Sequence, residues 1–298
     1  MLRKAGFSPV AEAKPLVRLL RPHQWIKNAF VAAPLFFTPA AVSLASVQRA
    51  ALGVLAFCLV ASAVYIINDY WDRAADRLHP EKRHRPLAAG TVTLPAAAGL
   101  TLVLLAGGFA IAAALSPAFV AFLTVYFGLN LAYSLGLKDI SIVDVLVIAL
   151  GFVLRLEAGA VLVDINLSAW IVICSGLLAL FLAVAKRRDD VVRALDSGHR
   201  PSLAGYTRAY LDAVLVVTLT ALLIAYTIYT TDPAVMARYG TERLYATAPF
   251  VVAGVLRYLQ ITFVEERSGS PTVLVLTDRF LMITILGWLA TFGYLIYG

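Results

Sequence analysis

The chain has 298 residues, 61% of them hydrophobic and only 14% charged, where a soluble domain carries about 25% charged residues. Its mean hydropathy of +0.83 means more apolar surface than one water-soluble core can hide, which excludes a soluble enzyme and makes lipid the main solvent. The net charge of +7 raises nucleic acid as a partner, but the placement of those charges along the chain argues against it.

In hydrocarbon every backbone amide must be satisfied internally, so only helix bundles and closed barrels span a bilayer. The apolar runs here are about 17–24 residues long, a helical length and not that of a barrel strand. The expected fold is therefore all-α: a polytopic membrane helix bundle of about nine transmembrane helices, one domain over 1–298, with 1–28 as a cytoplasmic N-terminal segment. Residues 1–24 carry Arg3, Lys4, Lys14, Arg18 and Arg21 without a sustained apolar core, so no secretory signal is expected there.

Residues 21–28 read Arg-Pro-His-Gln-Trp-Ile-Lys-Asn. Trp25 and Lys27 are either interfacial anchors, or Lys27 or Arg21 holds an anionic headgroup. The predicted spans follow at 29–44, 51–68, 92–115, 118–136, 141–163, 167–186, 209–230, 245–264 and 274–297. Pro34 and Pro39 interrupt the first, which makes it the least regular. With the N-terminus inside, 21 of the 25 Lys and Arg residues fall in or beside cytoplasmic segments. The other side keeps Arg49, Arg238 and Arg243, and Arg155 lies within a span. That is the positive-inside pattern, so the +7 reports topology and no nucleic-acid role is expected. A bacterial cell (inner) membrane protein with its C-terminus outside is expected, and nothing excludes a homo-oligomer.

The end of the second span reads Asn68-Asp69-Tyr70-Trp71-Asp72-Arg73-Ala74-Ala75-Asp76. On a continuing helix Asn68, Asp69, Asp72 and Asp76 share one face. Three carboxylates crowded there repel one another unless a cation lies among them. Hard oxygen donors at this spacing suit Mg²⁺, which completes its shell with substrate phosphates. The bland alternative is a solvated cap neutralised by Arg73 and Arg77. Lys82-Arg83-His84-Arg85-Pro86 follows, and a metal with Lys and Arg beside it is the usual clamp on a leaving diphosphate. Lys82 and Arg83 also fit a simple positive-inside stop; Arg85 is the better functional candidate.

Tyr133 and Lys138 close the fourth span, where Lys138 either snorkels or reaches a substrate. Asp144 and Arg155, eleven residues apart, line one face of the fifth span, and an arginine at that depth is expected to face a polar cavity. Glu157 lies on another face. The sixth span ends Lys186-Arg187-Arg188-Asp189-Asp190-Val191-Val192-Arg193, with Lys186, Asp189, Asp190 and Arg193 on one face. A purely acidic face would hold a metal; this mixed one, led by a base, is read as contacting phosphate oxygens directly. Cys58 and Cys174 lie in apolar runs and are expected to be small buried hydrophobes. The four histidines show no zinc spacing.

Together these motifs resemble the UbiA superfamily of intramembrane prenyltransferases. Asn68, Asp69, Asp72 and Asp76 match its first motif, NDxxDxxxD, in full, and Arg85-Pro86-Leu87 matches the sequel. Its second motif, DxxxD at the end of the sixth span, is met by Asp190 but has Lys186 at the first position. Residues 21–28, 65–90, 132–138 and 186–187 are similar to the decaprenyl-phosphate phosphoribosyltransferase branch. The resemblance implies nine helices around a central cavity. It also implies transfer of 5-phosphoribose from phosphoribosyl diphosphate (PRPP) to a polyprenyl phosphate, with Mg²⁺ as cofactor, on the route to lipid-linked arabinose. Asp69, Asp72 and Asp76 would hold the metal, and Lys27, Lys82, Arg83, Arg85, Lys138, Lys186 and Arg187 would grip phosphates. The runner-up is prenyl transfer to an aromatic acceptor. A transporter would place its charges or broken helices at the bilayer midplane, whereas these cluster at one end.

Overall fold

In a computed structural model, residues 9–80, 82–193 and 201–298 are described, those from 9 to 14 as backbone only. The side chains of Arg3, Lys4, Lys14, His199 and Arg200 lie outside the described residues. Among the described residues eight helices are long and apolar enough to cross a membrane. These are α3 (Leu44–Trp71), α5 (Leu94–Leu115), α6 (Pro117–Leu135), α7 (Val143–Leu162), α8 (Ala169–Val192), α9 (Arg208–Thr231), α11 (Ala248–Phe263, lengthened by a 3-10 turn from Leu244) and α13 (Arg279–Tyr297). Shorter helices are α1 (Pro9–Leu20), α2 (Ala33–Phe36), α4 (Arg73–Leu78), α10 (Pro233–Tyr239) and α12 (Pro271–Thr277). The chain is thus a multi-pass, all-helical membrane bundle.

The starts of these helices are written locally. Ser43, Thr93, Ser116, Ser168, Thr207 and Asp278 each accept a backbone N–H of the first turn, which satisfies donors that the helix itself leaves orphaned. Ser116 followed by Pro117 turns α5 into α6 within one residue, because proline needs no partner at the first helical position.

The predicted first span is not a helix of membrane length. Its place is taken by a 3-10 segment over Pro22–Val31, the single turn of α2 and a second 3-10 turn at Pro39–Ala41. Pro22, Pro34 and Pro39 each lack the N–H that a continuous α-helix needs. This segment nevertheless runs the length of the bundle. Near its start Trp25 Nε1 donates to Ser62 Oγ at 3.0 Å. Near its end Tyr297 Oη donates to the carbonyls of Leu35 and Phe36 at 3.3 and 3.2 Å. It packs on α7 so closely that a Cβ at Gly159 would lie 1.9 Å from the Val31 carbonyl oxygen. The predicted ninth span at 274–297 is broken at Asp278 into α12 and α13.

Neighbouring helices alternate in direction. α3 packs on α5 and α6, then α6, α7, α8 and α9 follow in sequence, and α11 joins α9 to α13. Phe36 and Phe37, packed tilted and edge-on against Trp288 and Phe292, bring α13 back to the irregular crossing. The most apolar windows of α3 and α7 are 61% and 56% buried, against 17% for α5 and α13, so α3 and α7 are inner walls and α5 and α13 lie on the outside toward lipid. Van der Waals packing holds such faces together, since lipid is as apolar as leucine. The acidic motif, 137–142, 201–206 and 264–278 gather at one end of the bundle; Tyr297 lies at the other.

Candidate active site

Helix α3 ends at Trp71, and Asp72 is at once its last cap and the first cap of α4. That hinge changes the expected single acidic face. Asp69 and Asp76, 2% and 3% exposed, are bridged by one guanidinium nitrogen, Arg85 Nη1, at 3.0 and 2.8 Å. Asp69 also takes Arg21 Nη2 at 2.5 Å. Arg21 adopts a left-handed backbone (φ 50, ψ 58) where α1 turns into the irregular crossing, and this ion pair helps to hold that strained turn. Asp72 looks elsewhere: Lys138 donates to its Oδ1, and Asn68 Nδ2 to its Oδ2 at 3.0 Å. Two cavities open beside the acids. One, of about 510 Å³, is lined by Arg18, Arg21, His23, Asp69 and Arg85. The other, of about 310 Å³, is lined by Asp72, Asp76, His79, Lys82 and Lys138.

Lys82 therefore reaches the cavity shared by Asp72 and Asp76. Arg83 does not: it is exposed, and its Nε donates to His84 Nε2 at 3.4 Å.

Helix α8 runs on to Val192, six residues past the predicted boundary, and its last turns bear two functional faces where one was expected. Arg187, 1% exposed, donates to Asp144 Oδ2 at 2.5 Å, Asp190 Oδ2 at 2.9 Å and Tyr133 Oη at 3.4 Å. Arg188 and Asp189 turn away. Arg188 donates to Asp212 at 2.5 Å and to the Thr262 carbonyl at 2.7 Å, while Asp189 pairs with Arg193 at 2.7 Å. Four consecutive side chains on a helix sweep most of a circle, so they must serve different neighbours. Lys186 is exposed.

Asp144, fully buried, also accepts from Tyr206 Oη at 2.6 Å and Ser202 Oγ at 3.3 Å. Tyr206 Oη in turn accepts the Ile142 N–H at 2.5 Å, steadying a β-branched residue at φ 71. Burial first, and then donation to Asp144, push the Tyr206 phenol well above its usual range, so it stays a donor. Ser202 and Tyr206 were missed by the sequence reading; no spacing to the acidic motifs marks them, and only the docking of 201–206 on 141–142 brings them in.

Arg155 does not share surroundings with Asp144, despite their common helical face. Its Nε donates to Asn28 Oδ1 at 2.8 Å, Nη1 to the Gly151 carbonyl at 2.7 Å and Nη2 to Tyr126 Oη at 2.7 Å. The rings of Tyr126, Phe152 and Phe57 surround it at 4.6, 5.5 and 6.0 Å. Asn28 Nδ2 donates to Cys58 Sγ at 3.2 Å, and both cysteines are free thiols. The charges that act most strongly on Lys27 are those of Lys186, Arg155 and Arg21. Glu157 makes no ion pair among the described residues.

The donor set of Asp69, Asp72 and Asp76 is that of a hard cation such as Mg²⁺. Among the described residues no three acids, histidines or cysteines already stand at ligating spacing; Arg85 and Lys138 stand among them instead. Because one nitrogen bonds both Asp69 and Asp76, their oxygens are within about 6 Å of each other, close enough for a small cation to replace the guanidinium. The residues fit a metal that arrives with its anion, when Arg85 and Lys138 could turn onto phosphate oxygens.

Known proteins bear on this arrangement. The UbiA prenyltransferase family matches residues 29–285. The decaprenyl-phosphate phosphoribosyltransferase of Mycolicibacterium smegmatis is 34% identical, covering 95% of this chain and 92% of its own length. That of Mycobacterium tuberculosis strain H37Rv is 34% identical, covering 93% of both. The solved structure of a UbiA homologue from Archaeoglobus fulgidus bound to GPP and Mg²⁺ has a TM-score of 0.70 at 23% identity, over 95% of this chain and all of that one. With the helical architecture, the acidic hinge and a family match over most of its length, the chain belongs to the UbiA prenyltransferase family.

Proposed function

We propose that this protein transfers 5-phosphoribose from PRPP to a polyprenyl phosphate such as decaprenyl phosphate, releasing diphosphate. It is a membrane-embedded pentosyltransferase. The observation that carries this reading is the cationic load at one end of the bundle. Arg21, Lys82, Arg85, Lys138 and Arg187 gather about the acids there, and Lys186, which bears on Lys27, replaces the first carboxylate of the family's second motif. PRPP and a lipid phosphate together bring a diphosphate and two monoesters, more negative charge than a prenyl diphosphate and an aromatic acid bring. The relatives named decaprenyl-phosphate phosphoribosyltransferase, at 34% identity over nearly full lengths, support the same substrates.

The chemistry needs no dedicated general base. A phosphate monoester has a second pKa near 6 and is already anionic, so its oxygen can attack ribose C1 directly. The C1–O bond to diphosphate breaks, its electron pair leaves with the diphosphate, and the new C1–O bond forms to the lipid phosphate. Mg²⁺ held by Asp69, Asp72 and Asp76 would neutralise charge on the departing diphosphate. Arg85 and Lys138, released from those carboxylates, would clamp its oxygens, with Asn68 and Lys82 beside them. Asp144, Tyr133 and Asp190 hold Arg187 at the site's edge. We take 1–298 as one catalytic unit, set in a bacterial cell membrane with the acidic end and N-terminus cytoplasmic and the C-terminus outside, since water-soluble PRPP must enter at that end.

The test is transfer of label from PRPP into a lipid-extractable product by purified protein supplied with polyprenyl phosphate and Mg²⁺, run beside a prenyl diphosphate with an aromatic acid. Product from PRPP only is expected, lost in excess EDTA. Prenylation of the aromatic acid with no use of PRPP would overturn the reading.

A further inference from the structure

Along the bundle inward from its acidic end, two kinds of base stand out. Arg21, Arg85, Lys138, Arg187 and Arg188 each hold a carboxylate. Lys27 and Arg155 hold none among the described residues. Arg155 is 6% exposed and spends its hydrogen bonds on neutral acceptors. It lies eleven residues beyond Asp144 along α7, about 16 Å deeper at 1.5 Å per residue. A buried guanidinium without a counter-ion is costly in an apolar interior. Lys27, half-buried and adjacent in sequence to the Asn28 that Arg155 grips, makes no ion pair among the described residues, and the charges of Lys186, Arg155 and Arg21 bear on it. An anion is the natural complement of such a place.

Depth decides which anion. The carboxylates suited to a metal lie at the end of the bundle, where a water-soluble diphosphate and its Mg²⁺ enter. An acceptor tethered to a polyprenyl chain keeps that chain in the lipid and brings its phosphate from the membrane side. Resting on the function proposed above, we infer that Lys27, backed by Arg155, is the subsite for the phosphomonoester of the lipid acceptor. It is separate from the donor's metal–diphosphate site at Asp72, Asp76 and Lys138. Arg155 is a positioning residue: through Asn28 it fixes the 3-10 segment that carries Lys27, and its charge adds to the field there.

The experiment reads Lys27 directly. Wild-type protein in phospholipid nanodiscs is treated with an amine-acetylating reagent, and modification of Lys27 is followed by mass spectrometry. The additions are decaprenyl phosphate, decaprenol, PRPP with Mg²⁺, or inorganic phosphate. Decaprenyl phosphate alone is expected to slow acetylation about tenfold, the worth of one charge-assisted contact. Equal protection by decaprenol or by inorganic phosphate, protection by PRPP with Mg²⁺, or none at all would overturn the assignment. In steady-state assays Lys27→Gln should raise KM for decaprenyl phosphate about ten- to a hundredfold, with KM for PRPP within about threefold, and Lys27→Arg should recover most of the loss. Arg155→Lys should raise the same KM without moving that for PRPP. The reverse pattern sinks the inference while leaving the transfer reaction intact. Shielding of Lys27 by lipid phosphate in a protein that makes no phosphoribosyl lipid would sink the reaction and keep the subsite. Should Lys27→Gln fail to fold, the wild-type protection result decides.

Discussion

Asp72 is the most exposed acid of its motif, with 28% of its side chain open against 2% for Asp69 and 4% for Asp76. It is therefore the carboxylate most ready to exchange Lys138 for a metal. Asp72→Asn keeps the size and the contact with Asn68 but removes the charge. Turnover is expected to fall at least about a hundredfold, the scale of losing one transition-state electrostatic contact, while the thermal midpoint in detergent stays near wild type. Near-normal turnover would remove Asp72 from the metal site. Lys186→Asp tests the opposite sign. It restores the family's second acidic pair with Asp190 but puts a repulsive charge where phosphate is to bind. A cost of about 3–5 kcal/mol, roughly a hundred- to several-thousand-fold in phosphoribosyl transfer, is expected. An unimpaired variant would keep the function and refute the role given to this lysine.

At the scale of elements, the irregular crossing over residues 22–41 is the part least like a helix and the one that carries Lys27. It is fixed to α7 through the absent side chain of Gly159. A methyl there would meet the Val31 carbonyl at 1.9 Å, and backbone on both sides has no room to yield. Gly159→Ala should cost about 1–3 kcal/mol as overpacking, seen as a drop of several degrees in the thermal midpoint. Gly128→Ala in α6, where nothing lies within 4 Å, should be neutral or slightly stabilising. Equal behaviour of the two would show that the close approach is not energetically important. Helix α13 is held differently. Hydrogen bonds from Arg257, at 3.3 and 2.6 Å, are the largest of the effects that lower the carboxyl of Asp278 from its ordinary 3.8 to about 2. A depressed acid stabilises the fold fully above its unfolded pKa, and the gain is lost as pH falls through the folded value. Asp278→Asn preserves the helix cap and removes the pairing. The stability gap to wild type should be constant above about pH 4 and close toward about pH 2. A gap that persists at pH 2 would point to packing and not charge.

For the whole molecule, Arg21 lies at the acidic end of the bundle and Tyr297 at the other, with eight span-length helices and one irregular segment between them among the described residues. Reporter fusions at Ala89 and Gly298 should therefore report opposite compartments, Ala89 cytoplasmic. A cytoplasmic reporter at Gly298 would mean that residues 22–41 do not cross. The helical bundle, the gathering of the acidic and basic motifs at one end of it and the match to a known family were all legible in the sequence. Each rests on something written locally: apolar run length, charge sign beside each run, and the spacing of Asn68, Asp69, Asp72 and Asp76. Side chains nearby in sequence share their surroundings whatever the rest of the chain does, so such signals survive without a structure. The tertiary structure alone decided the pairings. It split the acidic motif between Arg85 and Lys138, turned Arg188 and Asp189 away from the site, and set Asn28 against Arg155 across 127 residues. It also brought Ser202 and Tyr206 onto Asp144. These contacts depend on how helices rotate and settle against one another, and a helix face two residues wide can meet any of several neighbours. Periodicity along one chain says which side chains travel together; only packing says what they meet.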